Sequence, residues 1–124
     1  MKTYGRLTAG MKLSVENRVI LRNRREGLNM EERTSILLVG IGGYGNLYVN
    51  ALLDQGREHH AQIVGVVDPY PKGSRRYEDI VRAGIPIYDT MEEFYRSGKA
   101  DLAVIASPIH FHCRQVCTAL SNGS

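Results

Sequence analysis

Gly40, Gly42 and Gly45 follow the apolar run Ile36-Leu-Leu-Val39 in the order G-I-G-G-Y-G. Glycines at this spacing, where a strand turns into a helix, suit a bound diphosphate. The first permits a tight turn, the second lets backbone approach the pyrophosphate with no Cβ between them, and the third lets the helix pack close. Gly43 and Tyr44 complete the loop, and the phosphates would sit at the helix N-terminus, where unpaired N–H groups and the macrodipole favour anions. A second apolar run, Ile63-Val-Gly-Val-Val67, closes on Asp68, about 23 residues after Gly45, near the spacing of a carboxylate that bonds the adenosine ribose. Such a carboxylate accepts from both ribose hydroxyls and repels a 2′-phosphate, so these residues together predict a site for NAD. Asp68 also fits a plain turn opener in Asp68-Pro69-Tyr70-Pro71. Arg75 and Arg76 lie just beyond and could serve a 2′-phosphate, which leaves NADP open. The glycine pattern alone also fits a methyltransferase or a mononucleotide site.

These groups can meet only if strands and helices alternate. Continuous apolar runs are the mark of parallel strands covered by helices on both faces. The pattern predicts strands over 36–39, 63–67, 85–88 and 102–106, the first and last of them buried. Pro86 places the third strand at an edge or its first residue at a strand start. Helices are expected from Tyr44 to about Gly56, over 74–83, over 91–96 after a cap at Asp89 or Thr90, and from about His110 to Leu120. Their inward faces are expected to carry Leu47, Val49, Ala51, Leu52 and Leu53 in the first, and Tyr77, Ile80 and Val81 in the second. The order β-α-β-α-β-α-β-α makes the fold class α/β: a Rossmann-type parallel sheet with flanking helices, incomplete at about four strands. Ligands bind such sheets at the carboxyl ends of the strands. Gly42, Asp68 and Ser107 all fall at those ends and converge on one crevice.

At 124 residues the chain allows one domain. No apolar run approaches the ~20 residues of a membrane span, and no signal peptide is expected because the start lacks an apolar central region, so a cytoplasmic protein is expected. Cys113 and Cys117 share a helix face but lack further metal ligands, and are expected to be small buried groups. His59 and His60 are expected in a solvated loop. No metal site is predicted.

The net charge of +3 is unevenly spread: residues 1–33 hold eight Lys/Arg against four Glu, and the remainder eight basic against nine acidic groups. Nucleic-acid binding would rest on the N-terminal segment alone, which has no recognisable binding module; no nucleic-acid or membrane partner is expected. We read residues 1–33 as a basic extension and 34–124 as the nucleotide-binding domain. Arg24-Arg-Glu-Gly27 can be encoded by a purine-rich stretch resembling a bacterial ribosome-binding site, a few codons before Met30. The expectation is that Met30 is the true start; native N-terminal sequencing that finds Met1 or Lys2 excludes it. The alternative is a basic arm contacting a partner subunit.

The run Asp101-Leu-Ala-Val-Ile-Ala-Ser-Pro-Ile-His-Phe-His112 resembles the D-x-V-x-I-A-[ST]-P-x-x-x-H segment of the glucose-fructose oxidoreductase, inositol dehydrogenase and MocA (Gfo/Idh/MocA) family. With GIGGYG, Asp68-Pro69 and YDTMEEF, the likeness covers about residues 34–122. It implies an N-terminal Rossmann domain of a two-domain enzyme that oxidises or reduces sugars, inositols and related compounds with NAD(P). It also implies that Ser107 and Pro108 pass along the pyrophosphate and nicotinamide ribose, and that His112 lines the cofactor site. His110 and His112 could instead simply pack and cap a helix start.

The family continues into a G-x-x-V-x-x-E-K-P strand, whose lysine positions and polarises substrate. This chain stops at Ser121-Asn-Gly-Ser124. The expectation is therefore a truncated fragment that binds cofactor, lacks the catalytic lysine and substrate domain, has no catalytic residue of its own, and can self-associate through an exposed sheet edge. The alternative is a stand-alone NAD(P)-binding regulatory or redox-sensing module.

Overall fold

The apolar runs become the strands of one parallel sheet. The structure, a computed structural model, describes residues 33–124; the basic extension up to residue 32 and the expected start at Met30 lie outside the described residues. The strands are β1 (Thr34–Val39), β2 (Ala61–Val67), β3 (Ile87–Tyr88) and β4 (Leu102–Ile105), in the order β3-β2-β1-β4 with every pair parallel. Between and after them run helices α1 (Gly45–Gln55), α2 (Tyr77–Arg82), α3 (Met91–Tyr95) and α4 (His112–Ser121), with 3-10 turns at Pro71–Gly73 and Ile109–Phe111. This is the expected Rossmann-type α/β architecture with four strands.

Successive strand residues point to opposite faces, and the core divides accordingly. Leu37, Val39 and Val67 pack with Met91, Phe94, Ala100 and Ala119 on one face. Ile36, Leu38 and Val66 pack with Ile41, Val49 and Ile80 on the other. Strand order reverses at β1, because β2 and β3 lie to one side and β4 to the other. That reversal is the switch point at which such sheets open a crevice. Thr90 caps α3, accepting from the Glu93 N–H at 3.2 Å while Glu93 accepts from the Asp89 N–H at 3.1 Å. Of the two expected caps, Thr90 is the one used, in a shifted capping box.

Several expected inward faces are corrected. Leu47, Ala51 and Val81 are exposed, while Gly45, Val49 and Ile80 form the buried positions of α1 and α2. Both helices are one-sided, so only the narrow stripe toward the sheet is covered. Cys113 and Cys117 are exposed thiols, not buried packing groups. The buried residue of α4 is Ala119, two positions past Cys117 and so on a different side of the helix. β4 was expected to be fully buried but is only partly so, with Leu102 exposed. It pairs with β1 alone and forms an edge of the described sheet. No helix among the described residues is long and apolar enough to cross a membrane.

Candidate functional site

A cleft of about 500 Å³ opens at the carboxyl ends of the strands. Val39 and Gly40 enter it from β1, Val67 and Asp68 from β2, and Ser107 and Pro108 from the turn after β4. Asp89 to Glu92 wall it where β3 leads into α3, and Phe111, Arg114, Gln115 and Thr118 wall it from α4 and the turn before it.

The glycines of the first loop have different physical reasons to be there. Gly40 has φ +84, and a Cβ on it would lie 2.7 Å from the Ser107 nitrogen. The turn after β4 presses on Gly40 directly. A Cβ on Gly45 would overlap the carbonyl of Gly40, so α1 starts against the loop that precedes it. Gly42 differs, because a Cβ there would meet nothing within 4 Å. The protein itself does not require glycine at 42, and the space in front of that residue is free. The N–H groups of Gly42, Gly43 and Tyr44 have no partner among the described residues. Three unpaired donors at the start of an 11-residue helix are the kind of groups that can meet an anion.

Asp68 stands at the end of β2, half-buried. Its Oδ2 accepts from the Ile41 N–H at 2.9 Å and its Oδ1 from the Tyr70 N–H at 2.8 Å. The turn-opening role read from the sequence is therefore present, and the same carboxylate also fixes the glycine loop. Each carboxylate oxygen keeps further acceptor capacity, because a carboxylate offers about four acceptor positions, and Asp68 lines the cleft.

Ser107 and His112 fix each other's elements. The His112 Nε2 lies 2.6 Å from the Ser107 carbonyl oxygen. A carbonyl only accepts, so that nitrogen carries a proton. The Ser107 hydroxyl donates to Gln115 Oε1. Through these two bonds α4 sets the position of the turn that presses on Gly40. Gln115 was not singled out from the sequence. Its signal is helical spacing: Phe111, Gln115 and Thr118 share one face of a helix beginning beside Ser107-Pro108.

Arg75 and Arg76 separate. The Arg76 guanidinium bonds Asp54 at 2.9 Å, Asp79 at 2.5 Å and Asn50 at 2.9 Å. The Arg76 hydrogen bond holds the Asp54 carboxyl below its usual range, and Asp54, then Asp79, raises Arg76. Arg76 is thus committed to α1 and α2 and withdrawn from any 2′-phosphate. No group of three or more potential metal ligands occurs among the described residues.

A family model described as an oxidoreductase family with an NAD-binding Rossmann fold matches residues 34–124. Scyllo-inositol dehydrogenase from Lactobacillus casei, solved with NAD(H) and scyllo-inositol, superposes with TM-score 0.60 at 19% identity over 75% of this chain and 26% of its own. The WlbA dehydrogenase from Bordetella pertussis, solved with NADH and UDP-GlcNAcA, superposes with TM-score 0.62 at 22% identity over 74% of this chain and 27% of its own. At such identity these two structures establish the fold. In sequence, the chain is 30% identical over 95 residues to a succinate–CoA ligase [ADP-forming] α subunit of Archaeoglobus fulgidus, covering 76% of this chain and 29% of that protein. It is 29% identical over 86 residues to the redox-sensing transcriptional repressor Rex of an Exiguobacterium species, covering 68% of this chain and 37% of that protein. The chain thus spans well under half the length of each of these four proteins.

Proposed function

The chain belongs to the Gfo/Idh/MocA oxidoreductase family with its NAD-binding Rossmann fold, and from that premise we propose that residues 34–124 hold NAD(H) for hydride transfer at a sugar- or polyol-like CH–OH group. Gly40, Gly42, Gly43, Tyr44 and Gly45 form the diphosphate loop. Asp68 takes the adenosine ribose, Ser107 and Pro108 run beside the diphosphate and nicotinamide ribose, and His112 lines the site. Bound nicotinamide supplies the carbon that accepts or donates the hydride; the residues of this chain bind and orient it. The observation that carries the reading is Gly42, whose missing Cβ faces free space next to three unpaired N–H groups. The inositol and UDP-sugar dehydrogenases of like fold support the substrate class. The chain alone is proposed to bind without turning substrate over, and to be cytoplasmic, in keeping with its two free thiols.

Asp68 and the committed Arg76 favour NAD over NADP. The test is a fluorescence titration with NADH and NADPH. Saturable NADH binding, tighter than NADPH, is expected, and Asp68→Ala weakens NADH about tenfold or erases the preference. No change in either quantity removes Asp68 from the site, and absence of dinucleotide binding overturns the reading. Failure of S-adenosylmethionine to displace NADH sets the methyltransferase alternative aside.

The likeness to Rex favours a second reading, a stand-alone NAD(P)-binding regulatory or redox-sensing module. Sequencing the source gene beyond codon 124 separates the two. A downstream strand leading into E-K-P supports the oxidoreductase, while a genuine stop with no such coding supports the module.

A further inference from the structure

A polar stripe runs along α1 at Asn46, Asn50 and Asp54, residues spaced four apart and so stacked on one helix face. All three bond the segment that follows Asp68. Asn46 Oδ1 accepts from the Ser74 hydroxyl at 2.9 Å and from the Arg75 N–H at 3.2 Å. Asn50 and Asp54 take the Arg76 guanidinium. Ser74 is the single buried polar side chain among the described residues, and its oxygen also accepts from the Arg76 N–H at 3.3 Å. At its other end Asn46 turns back to the glycine loop: its Nδ2 donates to the Gly43 carbonyl at 3.4 Å, an oxygen that also accepts from the Asn46 N–H at 3.2 Å.

We propose that Asn46 is a positioning residue: it ties the glycine loop to the segment after Asp68 and so sets the N–H groups of Gly42, Gly43 and Tyr44 for the cofactor diphosphate. This rests on the dinucleotide reading of the site. A primary amide is suited to the task, because it accepts at one end and donates at the other without adding charge. A carboxylate at 46 would lose the donor and set a negative charge beside the diphosphate. Asp68 bonds Ile41 and Tyr70 across the same gap, so two ties join the loops and Asn46 is the one nearer the helix.

The test measures ADP and adenosine affinities of the full chain by displacement of NADH, in Asn46→Ala, Ser74→Ala and the double variant. Adenosine lacks the phosphates, so the ratio of the two affinities reports on the glycine loop and not on general loosening. Asn46→Ala is expected to weaken ADP about tenfold and adenosine less than about threefold. Ser74→Ala should shift the ratio in the same direction, and the double variant should be no weaker than Asn46→Ala, because both changes cut one tie. An unchanged ratio in both single variants, or full additivity in the double, overturns the proposal. If Asn46→Ala does not fold, the ratio in Ser74→Ala decides alone. A parent chain that binds neither NADH nor ADP overturns the dinucleotide reading itself, a result distinct from either.

Discussion

The two ends of β1 are built differently. At the amino end, Ser35 and Asp101 clamp β1 to β4. The Ser35 N–H and hydroxyl both donate to Asp101 Oδ2, at 2.7 and 2.6 Å, and the Asp101 N–H returns a bond to the Ser35 hydroxyl at 2.9 Å. At the carboxyl end the Gly40 and Ile41 N–H groups are paired, with Val67 and Asp68, but the next three are not. These three N–H groups stand at the start of a helix, at half-exposed Gly42 and exposed Gly43 and Tyr44, where they are open to solvent or to an anion. One end closes the sheet, and the other leaves backbone donors open. The glycines mark the boundary: Gly40 and Gly45 press against backbone, and Gly42 faces open space, where we propose the diphosphate sits.

The largest test of that division is Gly40→Ala or Gly45→Ala. A methyl there meets backbone that cannot yield, and at Gly40 it also sits at positive φ, so each should lose about 3 kcal/mol in urea unfolding. A loss under about 1 kcal/mol would break the assignment of these glycines to the fold. Gly42→Ala should do the reverse: unfolding stability within about 0.5 kcal/mol of the parent, with NADH affinity down about tenfold. Unchanged affinity would mean that the open end does not face the ligand.

The smallest effect belongs to the closed end. The Ser35 hydroxyl, then its N–H, holds the Asp101 carboxyl below its usual value. As pH falls the unfolded chain protonates first. The clamp's contribution is therefore complete above about pH 4 to 5 and is lost as pH drops through the lowered folded value. Asp101→Asn should flatten stability against pH on that acid limb and leave NADH affinity at pH 7 untouched. A variant with the parent's acid limb, or with weakened NADH binding, would blur the two ends.

The strands were legible because a parallel sheet covered on both faces writes itself as unbroken apolar runs; Leu37, Val39 and Val66 are buried on this account. The places of Gly40, Gly42, Gly45 and Asp68 at the ends of β1 and β2 were legible because their spacing follows from one loop and one crossover. The helix faces were less so. Leu47 and Val81 look inward by type, but a short helix on a small sheet hides only one narrow stripe. Asn46 and Gln115 could not be found from type at all. A polar residue on a helix reads as solvated, and only the approach of Ser74 or Ser107 in space gives it a partner.

Cys113 and Cys117 are the only cysteines in the chain, and both are exposed, one turn apart on α4. A bifunctional dye bridging that turn would be held rigidly to the helix backbone, on the same helix that holds Ser107 through Gln115. Its polarisation would then track the tilt of α4. The chain thus carries native attachment points for an optical probe of that helix's orientation without any engineered label site.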